Sequence, residues 1–428
     1  MSTTHDVTYL LVGGGIACER AAESIREEDQ EGAVLLVCKE DELPYSRPPL
    51  SKKYMRGHSR DHDIVRFKPL EFYETHNIQF VLGTSVTAMN LAGKTAILSD
   101  GTRVNYDKAL VATGGRAKPF PGPGATLEGV FTLRSVKDSE HIRDFAHREG
   151  ARRAVIVGGA YIGCEIAHSL AEHDISTSVI SNKDQVHPKF LRKELAHRVA
   201  AHMESQGTRV ITGEKVTSLE GNGRVSRVIT DRGREIPADM VVVAIGIEPN
   251  TELLEQAGLV ADNGFQVDEF MRSVDNPDLF IAGDIANWYD PLFDTRRRVE
   301  HWGTADELGC AAGRNMARAV LNRDLEPHNH LTYIWSDLFG LHFDMAGNHK
   351  KYDEVVTAGD MEALRCLDLY FQEGRLMAYL GINWDDEDFK PLQEAIRNRA
   401  HFPPEERLAF GAETSSVRDR IVQHSANR

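Results

Sequence analysis

Two glycine-rich turns carry the first chemistry legible in the chain. Gly13-Gly14-Gly15 and Gly158-Gly159-Ala160 each stand between an apolar run and a helical stretch. Glycine at such a turn lets the backbone approach a pyrophosphate closely. The helix that follows offers unpaired N–H groups and the positive end of its dipole. In the first turn Gly13 and Gly15 fill the first two positions of the dinucleotide fingerprint, and Cys18 takes the third, small enough to pack there. In the second, Gly158 and Gly163 are in place, while Ala160 holds the middle position, where its methyl should push a pyrophosphate slightly outward. An acid after the second strand of each unit should hold the ribose hydroxyls. Glu40 is the candidate in the first unit, with Lys39 beside it in the more usual position. The second unit offers Ser181-Asn182-Lys183, with no acid for a free 2′-hydroxyl pair and no arginine for a 2′-phosphate. NADH and NADPH both stay open, with a lean to NADH.

A further stretch, LPYSRPPLSKKYM at residues 43–55, surrounds a proline pair with Tyr45, Arg47, Lys52 and Lys53. Pro48-Pro49 is excluded from strand and helix interiors but leads naturally into a helix start. Taken alone, Lys52 and Lys53 are ordinary exposed helix lysines. Glu165 lies two residues after Gly163, where a carboxylate suits the helix dipole whatever else it does. Asp284 follows Gly283 in a polar turn, and Trp302 follows Glu300-His301 directly before a helix.

Regular elements must hold these groups. Residues 7–12, 16–28 and 33–38 form a strand, helix and strand, and residues 154–157, 161–173 and 175–180 repeat the pattern. Two βαβ units, opening their turns at positions 13 and 158, are the main organising feature. Residues 80–104 and 224–236 alternate as hairpins; 109–113, 240–245 and 279–282 are apolar strands; 304–321 is helical. Beyond Pro327, aromatics and alternating strands at 366–371 and 376–380 mark a separate domain, and the last twenty or so residues are expected to be loosely held.

Composition bounds the function. The 428 residues are 41% hydrophobic and 27% charged with net charge −15, which argues against a general nucleic-acid binder. No basic leader region or membrane-length apolar window is present, so a cytoplasmic protein is expected. The five cysteines lack CxxC spacing and are expected to be buried small hydrophobes, and no His/Cys cluster points to a metal.

The order of these motifs resembles the two-dinucleotide-fold flavoprotein reductases. The stretches that carry the resemblance are VGGGIACERAAESIR, LPYSRPPLSKKYM, VATGGRAKPFPGPG, VGGAYIGCEIAHSL, VVVAIGIEPN, LFIAGDIANW and RRVEHWGTADELGCAAGRNM. PYSRPPLSK and VEHW look like the ferredoxin reductases of oxygenase systems and the apoptosis-inducing-factor relatives. The resemblance spans roughly residues 7–390 and is more specific for fold and cofactor than for the electron acceptor. It implies an α/β chain with two Rossmann-like domains, for FAD at 1–118 and 241–322 and for NAD(P) at 119–240. A C-terminal α+β domain follows at 323–428.

The resemblance also implies roles for residues. FAD would meet Gly13, Gly15, Ile16, Ala17 and Glu40, then Arg47 on its adenosine–pyrophosphate side. Ala112, Thr113 and Gly114 would follow, with Gly283 and Asp284 at the ribityl chain. Lys52 would sit near the flavin ring and pair with Glu165. Glu300, His301 and Trp302 would lie beside the ring, with the helix dipole aimed at it. Gly158, Gly159, Tyr161, Ile162, Glu165 and Gly246 would serve the nicotinamide nucleotide. Arg134 counts among the cofactor-binding residues, while Trp335 and Phe339 would approach the active site from the third domain. Lys52, Glu165 and Trp302 are the expected catalytic groups.

Thiol chemistry on this fold needs a cysteine pair on the first helix, or a cysteine shortly before the PY segment. The chain has neither. The expected activity is hydride transfer from NAD(P)H to FAD, with single electrons passed on to a [2Fe–2S] ferredoxin by a monomer or homodimer. Arg296-Arg297-Arg298, with Lys52, Lys53 and Arg56, would form the ferredoxin docking patch. An NAD(P)H oxidase or quinone reductase, and an apoptosis-inducing-factor-like NADH sensor, are the alternatives.

Overall fold

The computed structural model describes residues 4–57, 65–148, 150–411 and 417–426. The elements that bear on function are, in chain order, β1 (Thr4–Val12), α1 (Ile16–Glu28), β2 (Val34–Val37), β3 (Arg103–Val111), β4 (Arg153–Val157), α2 (Tyr161–Ala171), β5 (Ser176–Ser181), β6 (Met240–Val243), β7 (Asn276–Ile281), α3 (Trp302–Val320), β8 (Tyr333–Leu338) and β9 (Leu341–Gly347). Both βαβ units form as the apolar runs predict, with boundaries moved by a few residues.

The chain divides into two compact units: Met1–Pro48 with Asp61–Arg116 and Ile247–His330, and Pro49–Arg60 with Ala117–Gly246 and Leu331–Arg428. The sequence suggested three domains, with the proline corner in the first. By contacts, residues 49–57 group with the second unit, as do residues 117–246 and 331–411.

In the first unit β7, β3, β1, β2 and Ile78–Val81 run parallel, in that order. The register sets Leu10 beside Leu35 and Ala109, so each strand end falls at one edge. Strands buried on both faces explain the unbroken apolar runs. Helices α1 and α3 pack backbone to backbone: a Cβ on Gly309 would lie 2.3 Å from the Ala17 carbonyl oxygen, and one on Gly313 would lie 2.2 Å from that of Ala21. Only glycine permits that approach.

The second unit repeats the pattern, with Arg209–Thr212, β5, β4, β6 and Val130–Thr132 all parallel. Its five-stranded antiparallel sheet starts with β8 and β9, joined by the two-residue turn Phe339-Gly340. Both turn residues have positive φ, 51° and 73°, the geometry that matches strand twist in a tight hairpin. Phe339 bears the unfavourable φ because its backbone is tied at both ends. Its N–H donates to His168 Nδ1 at 3.1 Å, and its carbonyl accepts from His202 Nε2 at 2.8 Å. Arg192 adds an ion pair to buried Asp368 at 2.7 Å.

The tail departs from expectation. Residues 417–426 are helical, Val417 and Ile421 are buried, and the Arg418 N–H donates to Asp388 Oδ1 at 2.8 Å. Polar composition hid two inward apolar positions one helical turn apart. The intervening residues 412–416 lie outside the described residues.

One buried acid gives the first unit a pH dependence. Glu19, in the first turn of α1, is buried and accepts from the Tyr73 hydroxyl at 2.7 Å. Burial raises its carboxyl to about 7, against the lowering effect of that hydrogen bond. The folded state therefore keeps a proton that the unfolded state releases near 4.5, and stability falls as pH climbs from 4.5 to about 7. A rise of this size corresponds to about 3 kcal/mol. Glu19→Gln should be more stable than the parent at pH 8 and converge with it near pH 4 in denaturant titrations. Equal stability at pH 8 would contradict this account.

Candidate functional site

In the first unit the sequence-selected residues gather at the carboxyl ends of the parallel strands, where open α/β sheets bind ligands. β1 delivers Gly13 and Gly15, β2 delivers Glu40, β3 delivers Ala112, Thr113 and Gly114, and β7 delivers Gly283 and Asp284. Gly13 has φ 144°, and a Cβ there would lie 2.4 Å from the Ala112 carbonyl oxygen. Gly15 differs. Its φ of −102° suits any residue, and an added Cβ meets nothing within 4 Å. The protein's own packing does not demand glycine at position 15. A pyrophosphate seated on the N-terminus of α1, at Ile16 and Ala17, would demand it. The residues present therefore fit a dinucleotide.

Around this edge, Thr113 Oγ1 donates to the Asn250 carbonyl at 2.7 Å, and the Asn250 N–H donates to the Gly114 carbonyl at 2.9 Å. Arg47 Nη2 lies 2.6 Å from Glu40 Oε1, the Tyr45 hydroxyl donates to Glu40 Oε2 at 2.5 Å, and the guanidinium sits over the Tyr45 ring. Lys39 is exposed. Asp284 is buried in a short 3₁₀ turn, and its carbonyl accepts from Arg298 at 2.8 Å. His301 caps α3, accepting from the Gly303 N–H at Nδ1, and half-buried Trp302 opens that helix.

The arginines of the basic run expected as a docking patch have partners within the first unit. Arg296 donates to the Val267 and Asn287 carbonyls, Arg297 pairs with Asp290 at 2.8 Å, and Arg298 pairs with Glu300 at 2.6 Å. The side chains of Arg297 and Arg298 are only 16% and 15% exposed. Sequence showed three adjacent charges but not the acids and carbonyls that absorb them.

The second unit has its own cradle. Gly158 has φ 124°, and a Cβ on Gly163 would lie 2.0 Å from the Gly158 carbonyl oxygen, the close helix–strand packing of the third fingerprint glycine. Ile162, at the start of α2, is 46% exposed, and Tyr161 packs on Phe190. Gly246 follows β6 with φ 106°. The Ser181 hydroxyl donates to the Gln185 carbonyl at 3.1 Å, and Lys183 is exposed. The Arg134 N–H donates to Asp138 at 3.0 Å, and Trp335 stacks on Tyr333.

The proline corner belongs here. Pro48–Ser51 is a 3₁₀ turn leading into the short helix Lys53–Arg56. Its backbone is pinned from two helices. Ser139 donates to the Leu50 carbonyl at 2.8 Å, Ser169 to the Ser51 carbonyl at 2.7 Å, and Arg143 to the carbonyls of Tyr54 and Gly57. Lys52, so placed, sets its Nζ 2.6 Å from Glu165 Oε1, while Lys53 stays exposed. The expected pair is present. Two partners that the sequence gave no reason to single out, Ser51 and Ser336, also reach Glu165 at 2.5 Å each.

Thiol chemistry finds no support. All five cysteines are free. Burial raises the thiols of Cys18, Cys38, Cys164 and Cys366, Cys38 and Cys366 to about 12, which suppresses the reactive thiolate. Among the described residues, His342, Asp344 and Asp386 bring ligand-type atoms within 4.8 Å of one another. The imidazole there already bridges Asp337 and Asp344, so the group closes on itself as an ion-pair network.

Comparisons with known proteins agree with this geometry. Residues 7–309 match the family model described as pyridine nucleotide-disulphide oxidoreductase, and residues 333–413 match the reductase C-terminal model. A probable ferredoxin reductase, CtmF, of Castellaniella defragrans is 33% identical over 86% of this chain and 88% of its own. The benzene 1,2-dioxygenase system ferredoxin–NAD(+) reductase subunit of Pseudomonas putida is 27% identical over 98% of each. In the crystal structure of the covalent putidaredoxin reductase–putidaredoxin complex, a chain 27% identical superposes with a TM-score of 0.91 over 98% of this chain and 99% of its own.

Gly15→Val tests the first cradle. The open space at its Cβ predicts an unchanged melting temperature for the flavin-free protein and FAD affinity reduced about 100-fold, the loss of roughly two hydrogen bonds to a charged group. Purification of the variant fully loaded with FAD would place the pyrophosphate elsewhere.

Proposed function

The chain belongs to the pyridine nucleotide-disulphide oxidoreductase family, and we propose that it takes a hydride from NADH onto FAD and passes electrons singly to a [2Fe–2S] ferredoxin of an oxygenase system. The observation that carries this reading is two dinucleotide cradles in a chain whose five cysteines are all free, with burial pushing the thiols of Cys18, Cys38, Cys164 and Cys366 up. Without a redox-active cysteine pair, electrons must leave for an external acceptor. The ferredoxin assignment draws on the relatives, several of which carry ferredoxin in their names. NADH is favoured over NADPH because no arginine follows β5 and because one relative is named for NAD(+).

On this reading residues 1–118 and 241–322 bind FAD, 119–240 bind the nicotinamide nucleotide, and 323–428 form the C-terminal domain. Bound FAD supplies the conversion of a two-electron hydride into one-electron transfers. Gly13, Gly15 and the N-terminus of α1 hold the pyrophosphate; Asp284 orients the ribityl hydroxyls; Arg47 and Glu40 serve the adenosine side. Lys52 places a positive charge where negative charge arrives, and Glu165 fixes that lysine. The dipole of α3 acts in the same sense, with Trp302 beside the ring. Gly158, Gly159, Tyr161, Ile162 and Gly246 seat the nicotinamide nucleotide. No side chain is asked to act as acid, base or nucleophile. No helix among the described residues is long and apolar enough to cross a membrane; the reading further takes the protein to work in the cytoplasm as a monomer or homodimer.

Anaerobic stopped-flow tests the acceptor. Protein reduced by one equivalent of NADH is mixed with a [2Fe–2S] ferredoxin or with air-saturated buffer. Reoxidation by ferredoxin should exceed that by oxygen at least about tenfold, a barrier difference near 1.4 kcal/mol. Faster reoxidation by oxygen would make the protein an oxidase, and a long-lived charge-transfer band with either acceptor would make it a sensor.

A further inference from the structure

Glu165 is the most heavily bonded carboxylate of the second unit that sequence singled out, and two of its three partners have no assigned role. The side chain is 4% exposed, projecting from the second turn of α2. Oε1 accepts from Lys52 Nζ at 2.6 Å and from Ser336 Oγ at 2.5 Å, while Oε2 accepts from Ser51 Oγ at 2.5 Å. The donors come from two places: the consecutive residues Ser51 and Lys52 at the end of the 3₁₀ segment, and β8. Ser51 and Ser336 are 2% and 1% exposed.

We propose that Ser51 and Ser336 are positioning residues for Lys52, clamping the Glu165 carboxylate so that the ammonium is held at one point. A carboxylate with a single lysine partner can rotate about its terminal torsion and let the ammonium wander on its four-carbon stem. A hydroxyl on each oxygen removes that rotation, because turning the carboxylate would break both short, charge-assisted bonds. The clamp also lowers the cost of burying the charge, since every oxygen faces a donor.

Ser336 gives the clamp its reach. It is one of the inward positions of β8, whose alternation places Trp335 and Asp337 on the other face. Strand β8 lies in the segment that matches the reductase C-terminal model, and its register is fixed by the Phe339-Gly340 turn pinned to His168 and His202. The C-terminal sheet thus sets the position of a lysine nearly three hundred residues earlier in the chain. What Lys52 is positioned for rests on the proposed flavin chemistry; the clamp itself does not.

The test uses the flavin-loaded protein and its Ser336→Ala and Ser51→Ala variants, with two readouts. The first is acylation of Lys52 by a limiting N-hydroxysuccinimide ester, quantified by peptide mass spectrometry against exposed Lys53. Each variant should raise the Lys52:Lys53 ratio at least about tenfold, the size expected for one lost hydrogen bond to a charged group. The second is anaerobic flavin reduction by NADH. Its limiting rate should fall by a similar factor, while the NADH concentration giving half that rate is unchanged. An unaltered Lys52:Lys53 ratio in both variants would overturn the proposal, as would equal gains at Lys52 and Lys53, which report general loosening. If the ratio rises but even the parent flavin is not reduced by NADH, the clamp stands and the proposed function fails.

Discussion

A lysine ammonium and a glutamate carboxylate held 2.6 Å apart, with side chains 17% and 4% exposed, constrain much of the second unit. Removing such charges from water costs several kcal/mol each, and their attraction offsets this only if the remaining lone pairs find donors. The structure meets the condition with Ser51 and Ser336. To deliver Lys52 and Ser51 together, residues 49–57 must lie against α2 and the helix Val136–Arg148. Four backbone carbonyls are bonded to do so. The proline pair has its physical role here: it starts a stiff turn whose next residues can be pinned without large loss of chain entropy.

The two cradles solve one problem with different residues. Each places a glycine of positive φ at a strand end and a helix N-terminus beyond it. The first reserves open space at Gly15 and packs Cys18 where the second needs Gly163; the second accepts Ala160 in the middle position. Strand ends gathered by parallel register do the rest, bringing residues from four strands of the first unit to one edge.

Much of this was legible in the sequence because it depends on local patterns. Apolar runs ending in glycine marked the strands, and the motif order marked Lys52, Glu165 and Asp284. What escaped depends on partners distant in the chain. Serines 51 and 336 look like any other serines until 171 positions of chain are folded between Glu165 and Ser336. The acceptors of the arginine run, Asp290, Glu300 and the backbone of residues 267 and 287, give no local signal. The terminal helix was missed because two buried residues, Val417 and Ile421, outweigh a polar composition. The contacts that group the proline corner with the second unit likewise join residues far apart in the chain.

The central claim is that Lys52 and Glu165 work as one device in flavin reduction. A double-mutant cycle on the anaerobic rate of flavin reduction by NADH, with Lys52→Met, Glu165→Gln and the pair, tests it most directly. The account predicts that each single change slows the reaction and that the double variant is no slower than the worse single one. Strictly additive losses, or unaltered rates in both single variants, would contradict it.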